Sequence, residues 1–174
     1  MKIIFLDVDG VLNYDDCPYH VGAYYGVDPA KVKLLKQIVD ATGAKIILSS
    51  TWRHEITVGM PLECQENPFA IELMSKLQAE GLRIYDYTPV DTSDSMRKEQ
   101  ILRRMREYRH DGQQIDGWCV LDDECFSGFL SKDFSPHFVI TNCNYDETDP
   151  AMLGLTEVNV QQAIKILNEG GPFV

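Results

Sequence analysis

The sequence predicts an α/β domain: a parallel five-stranded sheet with helices on both faces, a three-layer, Rossmann-like arrangement. Two observations predict it. Short apolar runs that do not alternate with polar residues recur along the chain, as in strands buried on both faces. Between them lie stretches with apolar residues three and four apart, the helical period, which implies right-handed crossovers between parallel strands.

Residues 2–6 (KIIFL) form the first strand and run straight into Asp7. A polar, aromatic-rich stretch from Asn13 to Val27 follows, with Tyr14, Tyr19, His20, Tyr24 and Tyr25, and reads as a flap loop. Asp28 and Pro29 suit the N-cap and first turn of a helix that places Val32, Leu35, Ile38 and Val39 on one face and ends before Gly43. Residues 45–48 (KIIL) make a second strand, ending at Ser49-Ser50-Thr51. A helix near 68–80 carries Phe69, Leu73 and Leu77, with Gly81 after it, and residues 82–87 (LRIYDY) alternate as a third strand. Ser93, Asp94 or Ser95 caps a helix to about Tyr108, packed through Ile101, Leu102 and Met105. Residues 118–121 (WCVL) make a fourth strand, ending at Asp122-Asp123, and His137 to Thr141 a fifth. A final helix from near Thr156 carries Val160, Ala163, Ile164 and Leu167. No repeat, low-complexity tract or linker breaks this order, so residues 1–174 read as one domain.

A chain of 174 residues can bury a substantial core. Its net charge of −11 opposes a broad electrostatic footprint for nucleic acid or anionic lipid, though not a local basic pocket. No apolar run is long enough for a bilayer span or a signal-peptide core, so no membrane partner is expected. The five cysteines are odd in number, widely spaced and without a CxxC pair, which fits reduced thiols in a cytoplasmic protein. The four histidines show no metal-ligand spacing. Nothing in the sequence sets the oligomeric state.

In a sheet of this kind, ligands bind outside the carboxyl ends of the strands. Asp7-Val8-Asp9, Ser49-Ser50-Thr51 and Asp122-Asp123 each follow a strand and converge if those strands are neighbours. Four carboxylates in one crevice repel unless a divalent cation compensates them, and Mg2+ prefers oxygen ligands. Asp7 can then attack phosphorus as a nucleophile. Asp9, just past the strand where Gly10 frees the turn, can protonate the leaving oxygen and later deprotonate water. Hydroxyls at Ser49 and Ser50 and a basic side chain would hold the remaining phosphate oxygens.

The run DVDGVLN (Asp7 to Asn13), a strand ending in Ser, a basic residue at a helix start and a strand ending in Asp-Asp resemble, in chain order, the haloacid dehalogenase (HAD) superfamily. Together with SSTWR (Ser49 to Arg53), the first motif is similar to the small HAD-like domains of Swiss Army Knife RNA repair proteins. The resemblance covers Lys2 to about Leu167. It implies Asp7 as nucleophile, Asp9 as general acid/base and Ser49 as a phosphate-binding hydroxyl. It also implies Asp122 and Asp123 as Mg2+ ligands alongside Asp7 and the backbone carbonyl of Asp9. Arg97 is favoured as the basic phosphate-binding residue, with Lys98 as the runner-up. The acid at Asp9 resembles the phosphatase branch rather than the dehalogenase branch.

The segments after the first and second strands leave no room for a separate cap domain, so the chain resembles the capless class with open sites. The stretch from Trp52 to Pro68 is expected to form the wall opposite the flap, with Trp52, Arg53 and His54 at its rim. The leading expectation is a magnesium-dependent phosphomonoesterase acting on a phosphorylated substrate, either a small molecule or a nucleic-acid end. An end-processing phosphatase of RNA or DNA repair shares the chemistry; Arg103, Arg104, Arg106 and Arg109 on one helix favour it and the acidic balance opposes it. A non-catalytic HAD-like binding module ranks below both, because every motif position carries a competent residue.

Overall fold

β1 (Lys2–Leu6) is the central strand, which explains its composition. Ile4 and Leu6 pack into the core on one face and Ile3 and Phe5 into the core on the other, all fully buried. A strand covered on both faces has no place for alternating polar residues. The computed structural model describes residues 1–90, 97–126, 128–141, 147–169, 171 and 173.

After β1 the chain forms a small antiparallel hairpin, β2 (His20–Val21) and β3 (Tyr24–Tyr25), where the sequence reads as a loop. Gly22, at φ 62°, opens its two-residue turn. α1 (Pro29–Thr42) starts on the Asp28 cap, whose side chain accepts the Ala30 N–H, and ends on Gly43 in the left-handed region. β4 (Lys45–Leu48) then pairs with β1, and α2 (Pro68–Ala79) leads to β5 (Ile84–Tyr87) at the sheet edge.

The third strand is shorter than its alternation suggests, because Leu82 belongs to the helix end. Its N–H bonds the Leu77 carbonyl while that of Gly81, at φ 71°, bonds Gln78, the paired bonds of a Schellman motif.

α3 (Arg97–His110) crosses to the other side of β1, where β6 (Gly117–Asp122) and β7 (Phe138–Ile140) complete the parallel order β5-β4-β1-β6-β7. The expected caps Ser93, Asp94 and Ser95 lie outside the described residues. His137 forms part of a short 3-10 turn before β7 instead of opening that strand. α4 (Glu157–Glu169) closes the fold.

α1, α2 and α4 cover the face of Ile4 and Leu6, while α3 and the rings of Phe129 and Phe134 cover the face of Ile3 and Phe5. This division follows from right-handed crossovers that move one way from β1 to β5 and the other way from β5 to β6. Between β1 and α1 the described chain adds only the hairpin, and among the described residues no separate cap domain stands over the strand ends. Among the described residues no helix is long and apolar enough to cross a membrane.

Candidate active site

Leu6 pairs with both Leu48 and Leu121, so β1, β4 and β6 leave the sheet at one level. The ladder runs one step further. The Asp7 N–H donates to the Leu121 carbonyl at 3.0 Å, and the Ser49 N–H to the Leu6 carbonyl at 2.8 Å. Asp7, Ser49 and Asp122, the last residue of β6, therefore stand side by side at roughly the spacing of strands, about 4.8 Å between neighbours.

Carboxylate oxygens of Asp7, Asp122 and Asp123 lie within 4.8 Å of one another. Gly10 makes this possible in two ways. At φ 67° it takes the turn after Asp9, and a Cβ at this position would come within 2.1 Å of the Asp123 carboxyl. The Thr141 hydroxyl donates to the Gly10 carbonyl at 2.7 Å and ties this turn to the end of β7.

Arg97, the first residue of α3, bridges the acids: its Nη1 donates to Asp7 Oδ2 and, at 2.7 Å, to Asp122 Oδ2. Burial opposes the charge on Arg97, but the two carboxylates outweigh it and hold the guanidinium protonated. Lys98, rotated about 100° around the helix, reaches away to the Ser131 hydroxyl at 3.0 Å. The structure thus brings Arg97 to the acids and takes Lys98 elsewhere.

Burial, reinforced by the charge of Asp7, pushes the Asp122 carboxyl up to about 8 against the opposing pull of Arg97. One guanidinium beside three acids leaves a demand for positive charge, and the donor set is all oxygen. Such a set suits a hard divalent cation.

Asp9 lives in a different environment. Its Oδ1 accepts the Asn13 amide at 2.9 Å, and its Oδ2 accepts the Trp52 indole N–H at 2.9 Å. Asn13 also accepts the Gly10 N–H at 2.9 Å, so one side chain fixes both the turn and the acid. Asp9 is open to the pocket, yet the walls crowd it. That desolvation raises its carboxyl above the usual range; the Asn13 bond opposes the rise and the charge of Asp7 adds to it.

The two serines after β4 part company. The Ser50 hydroxyl caps the 3-10 turn Thr51–Glu55 by accepting the Trp52 N–H at 3.3 Å. The Ser49 hydroxyl is fully buried and has no hydrogen-bond partner among the described residues, an arrangement that costs stability unless a ligand completes it.

Arg53 departs from its expected place at the rim. It turns inward at 3% exposure and donates to the carbonyls of Ser49 at 3.3 Å and Ser50 at 2.6 Å and to Gln100 Oε1 at 3.0 Å. A guanidinium has several donors, so it can serve two carbonyls and an amide oxygen at once, which offsets its burial. His54 is exposed, while Trp52 is buried against Phe69.

Above Asp9 lies a pocket of about 400 Å³, bounded by Asp9, Gly10 and Asp123 below and by Tyr24, Trp52 and Phe69 at the sides. The sequence reading missed Asn13 and Gln100 as parts of the site, and it placed Trp52 on the wall without its bond to Asp9. Asn13 had a local signal, since it stands four residues after Asp9, about one helical turn. Trp52 had none: its contact with Asp9 joins residues 43 apart.

Compared with known protein families, residues 3–157 match the HAD domain in Swiss Army Knife RNA repair proteins. The chain belongs to this HAD family. The matched part of the HAD domain runs from β1 to the first residue of α4, so it contains every candidate site residue from Asp7 to Asp123. No match was found among curated proteins or among solved structures.

Proposed function

We propose that this HAD domain is a magnesium-dependent phosphomonoesterase that works through an aspartyl-phosphate on Asp7. The observation that carries this reading is the contrast between two acids two residues apart. Asp7 lies on a floor of acids and a guanidinium, and Asp9 is held by neutral donors with its carboxyl raised. That is a nucleophile beside a proton donor.

Bound by Asp7, Asp122, Asp123 and the backbone carbonyl of Asp9, Mg2+ would neutralise the phosphate and draw it onto the floor. Asp7 attacks phosphorus; the bond to the leaving oxygen breaks, and Asp9 gives that oxygen its proton, releasing an alcohol. Asp9, now a carboxylate, takes a proton from water. The water oxygen attacks the phosphorus of the acyl phosphate, breaks its bond to Asp7 and frees inorganic phosphate. The unpartnered Ser49 hydroxyl supplies a donor to a phosphoryl oxygen, and Arg97 supplies charge beside it.

The expected outcome is Mg2+-dependent release of phosphate from a generic aryl phosphate. Asp7→Asn and chelation should each lower it by at least about a thousandfold. No turnover on a broad panel of phosphate esters with Mg2+ present would overturn the reading.

A second reading, a phosphatase of nucleic-acid ends, draws support from the RNA repair context of the family. Of the four α3 arginines that favour it, Arg103 and Arg104 are compensated by acids. Arg103 pairs with Glu107 at 3.1 Å, and Arg104 with Glu107 at 3.1 Å and Asp86 at 3.5 Å.

A further inference from the structure

We infer that the pocket above Asp9 holds the leaving group of the substrate and selects esters of a planar, uncharged group: a nucleoside monophosphate rather than the phosphorylated end of a polynucleotide. The inference rests on the phosphatase reading and adds to it the class of substrate.

The direction of the leaving group follows from the acid. A group that protonates the departing oxygen must lie on its side of the phosphorus. Asp9 and Asp123 border the pocket, whereas Asp7 and Ser49 lie at the strand ends beneath it. The alcohol therefore leaves into the pocket.

The pocket walls are aromatic. Trp52 meets Phe69 edge-on at 5.0 Å between ring centres, and Tyr24 meets the same ring at 5.6 Å. Tyr24, 68% exposed, borders the pocket with much of its ring open to a bound group. A space of about 400 Å³ falls within the range of small-ligand sites. Aromatic rings beside a bound group favour a flat, polarisable partner such as a nucleobase.

The charge of the pocket sets the limit on size. Asp9, Asp15 and Asp123 border it, and no lysine or arginine does so among the described residues. The next phosphate of a polynucleotide, one residue further from the reacting bond, would find no basic side chain to pair with there and would meet Asp15, an acid that neither Mg2+ nor the catalytic proton compensates. An uncharged ring meets no such cost.

The test uses the full chain with Mg2+ and compares kcat/KM on 3′- and 5′-nucleoside monophosphates, ribose 5-phosphate, glycerol phosphate and end-phosphorylated tetranucleotides. Nucleoside monophosphates should be preferred over the sugar and glycerol esters. Tyr24→Ala should reduce that preference about tenfold, the scale of one lost stacking contact, while Tyr24→Phe should retain it. Equal rates on esters with and without a ring, an unchanged preference in Tyr24→Ala, or faster turnover of the tetranucleotides would overturn the inference and leave the phosphatase reading standing. Turnover of none of these substrates would instead overturn the phosphatase reading.

Discussion

On the floor of the site, Asp7, Ser49 and Asp122 are placed by backbone hydrogen bonds between adjacent strands, whereas on its roof Asp9, Asn13, Trp52 and Tyr24 depend on side-chain contacts between separate segments. The main chain keeps the floor in register whatever the side chains are, so its difficulty is charge. The roof carries little net repulsion, but it stays in place only while each contact persists. Defects in the floor should therefore appear as electrostatic instability, and defects in the roof as misdirected chemistry.

The strongest test of this contrast is Arg97→Met. Removing the guanidinium leaves Asp7 and Asp122 buried without their shared cation, which should cost about 3–5 kcal/mol in urea unfolding with chelator present. Mg2+ should restore part of the loss. A cost within about 0.5 kcal/mol would mean that the floor does not need this charge.

A smaller effect should follow pH. The folded protein raises the Asp122 carboxyl from 3.8 to about 8, so between these limits it binds more protons than the unfolded chain. The contribution of this proton is fully present below the lower limit and is lost as pH rises through the upper one. Metal-free stability should thus fall with rising pH across this window, and Mg2+, competing with the proton, should flatten the slope. A metal-free stability that climbed towards pH 8 would contradict the charge excess assigned to the floor.

The smallest effect belongs to the roof. Trp52→Phe keeps most of the ring packing on Phe69 but removes one of two donors to Asp9. Stability should drop by about 1 kcal/mol. Turnover of an alkyl phosphate, whose leaving oxygen needs a proton, should fall roughly tenfold, and that of an activated aryl phosphate less. Equal losses on both esters would show that Trp52 supports the fold without steering the acid.

The same contrast decides what could be read from the sequence. The floor was legible because each of its parts has a local cause: an apolar run marks a strand, and the polar residue after Leu6, Leu48 or Leu121 marks its end. Choosing between Arg97 and Lys98 required the rotation of α3, which packing of Ile101 and Met105 settles and a resemblance of motifs does not. The hairpin was hidden because two residues per strand are too few to show alternation. Trp52 was expected at the rim and is buried in the wall; that its N–H also reaches Asp9 depends on a fold-level approach that leaves no trace in spacing.

Two hydrogen bonds tie the ends of the stretch that carries the hairpin to the helices. The Tyr14 hydroxyl donates to Asp28, the residue that caps α1, at 3.0 Å, and the Val27 N–H donates to Glu72 of α2 at 3.1 Å. The arm between them also touches the site, through the Asn13 amide on the Tyr25 carbonyl and Tyr24 on Phe69, but it shares no strand pairing with the five-stranded sheet, so it can change in length or sequence without disturbing that register. A lineage could exchange this arm and drift towards new alcohols while its acids stayed where they are, and an engineer could graft a new one at the same two points.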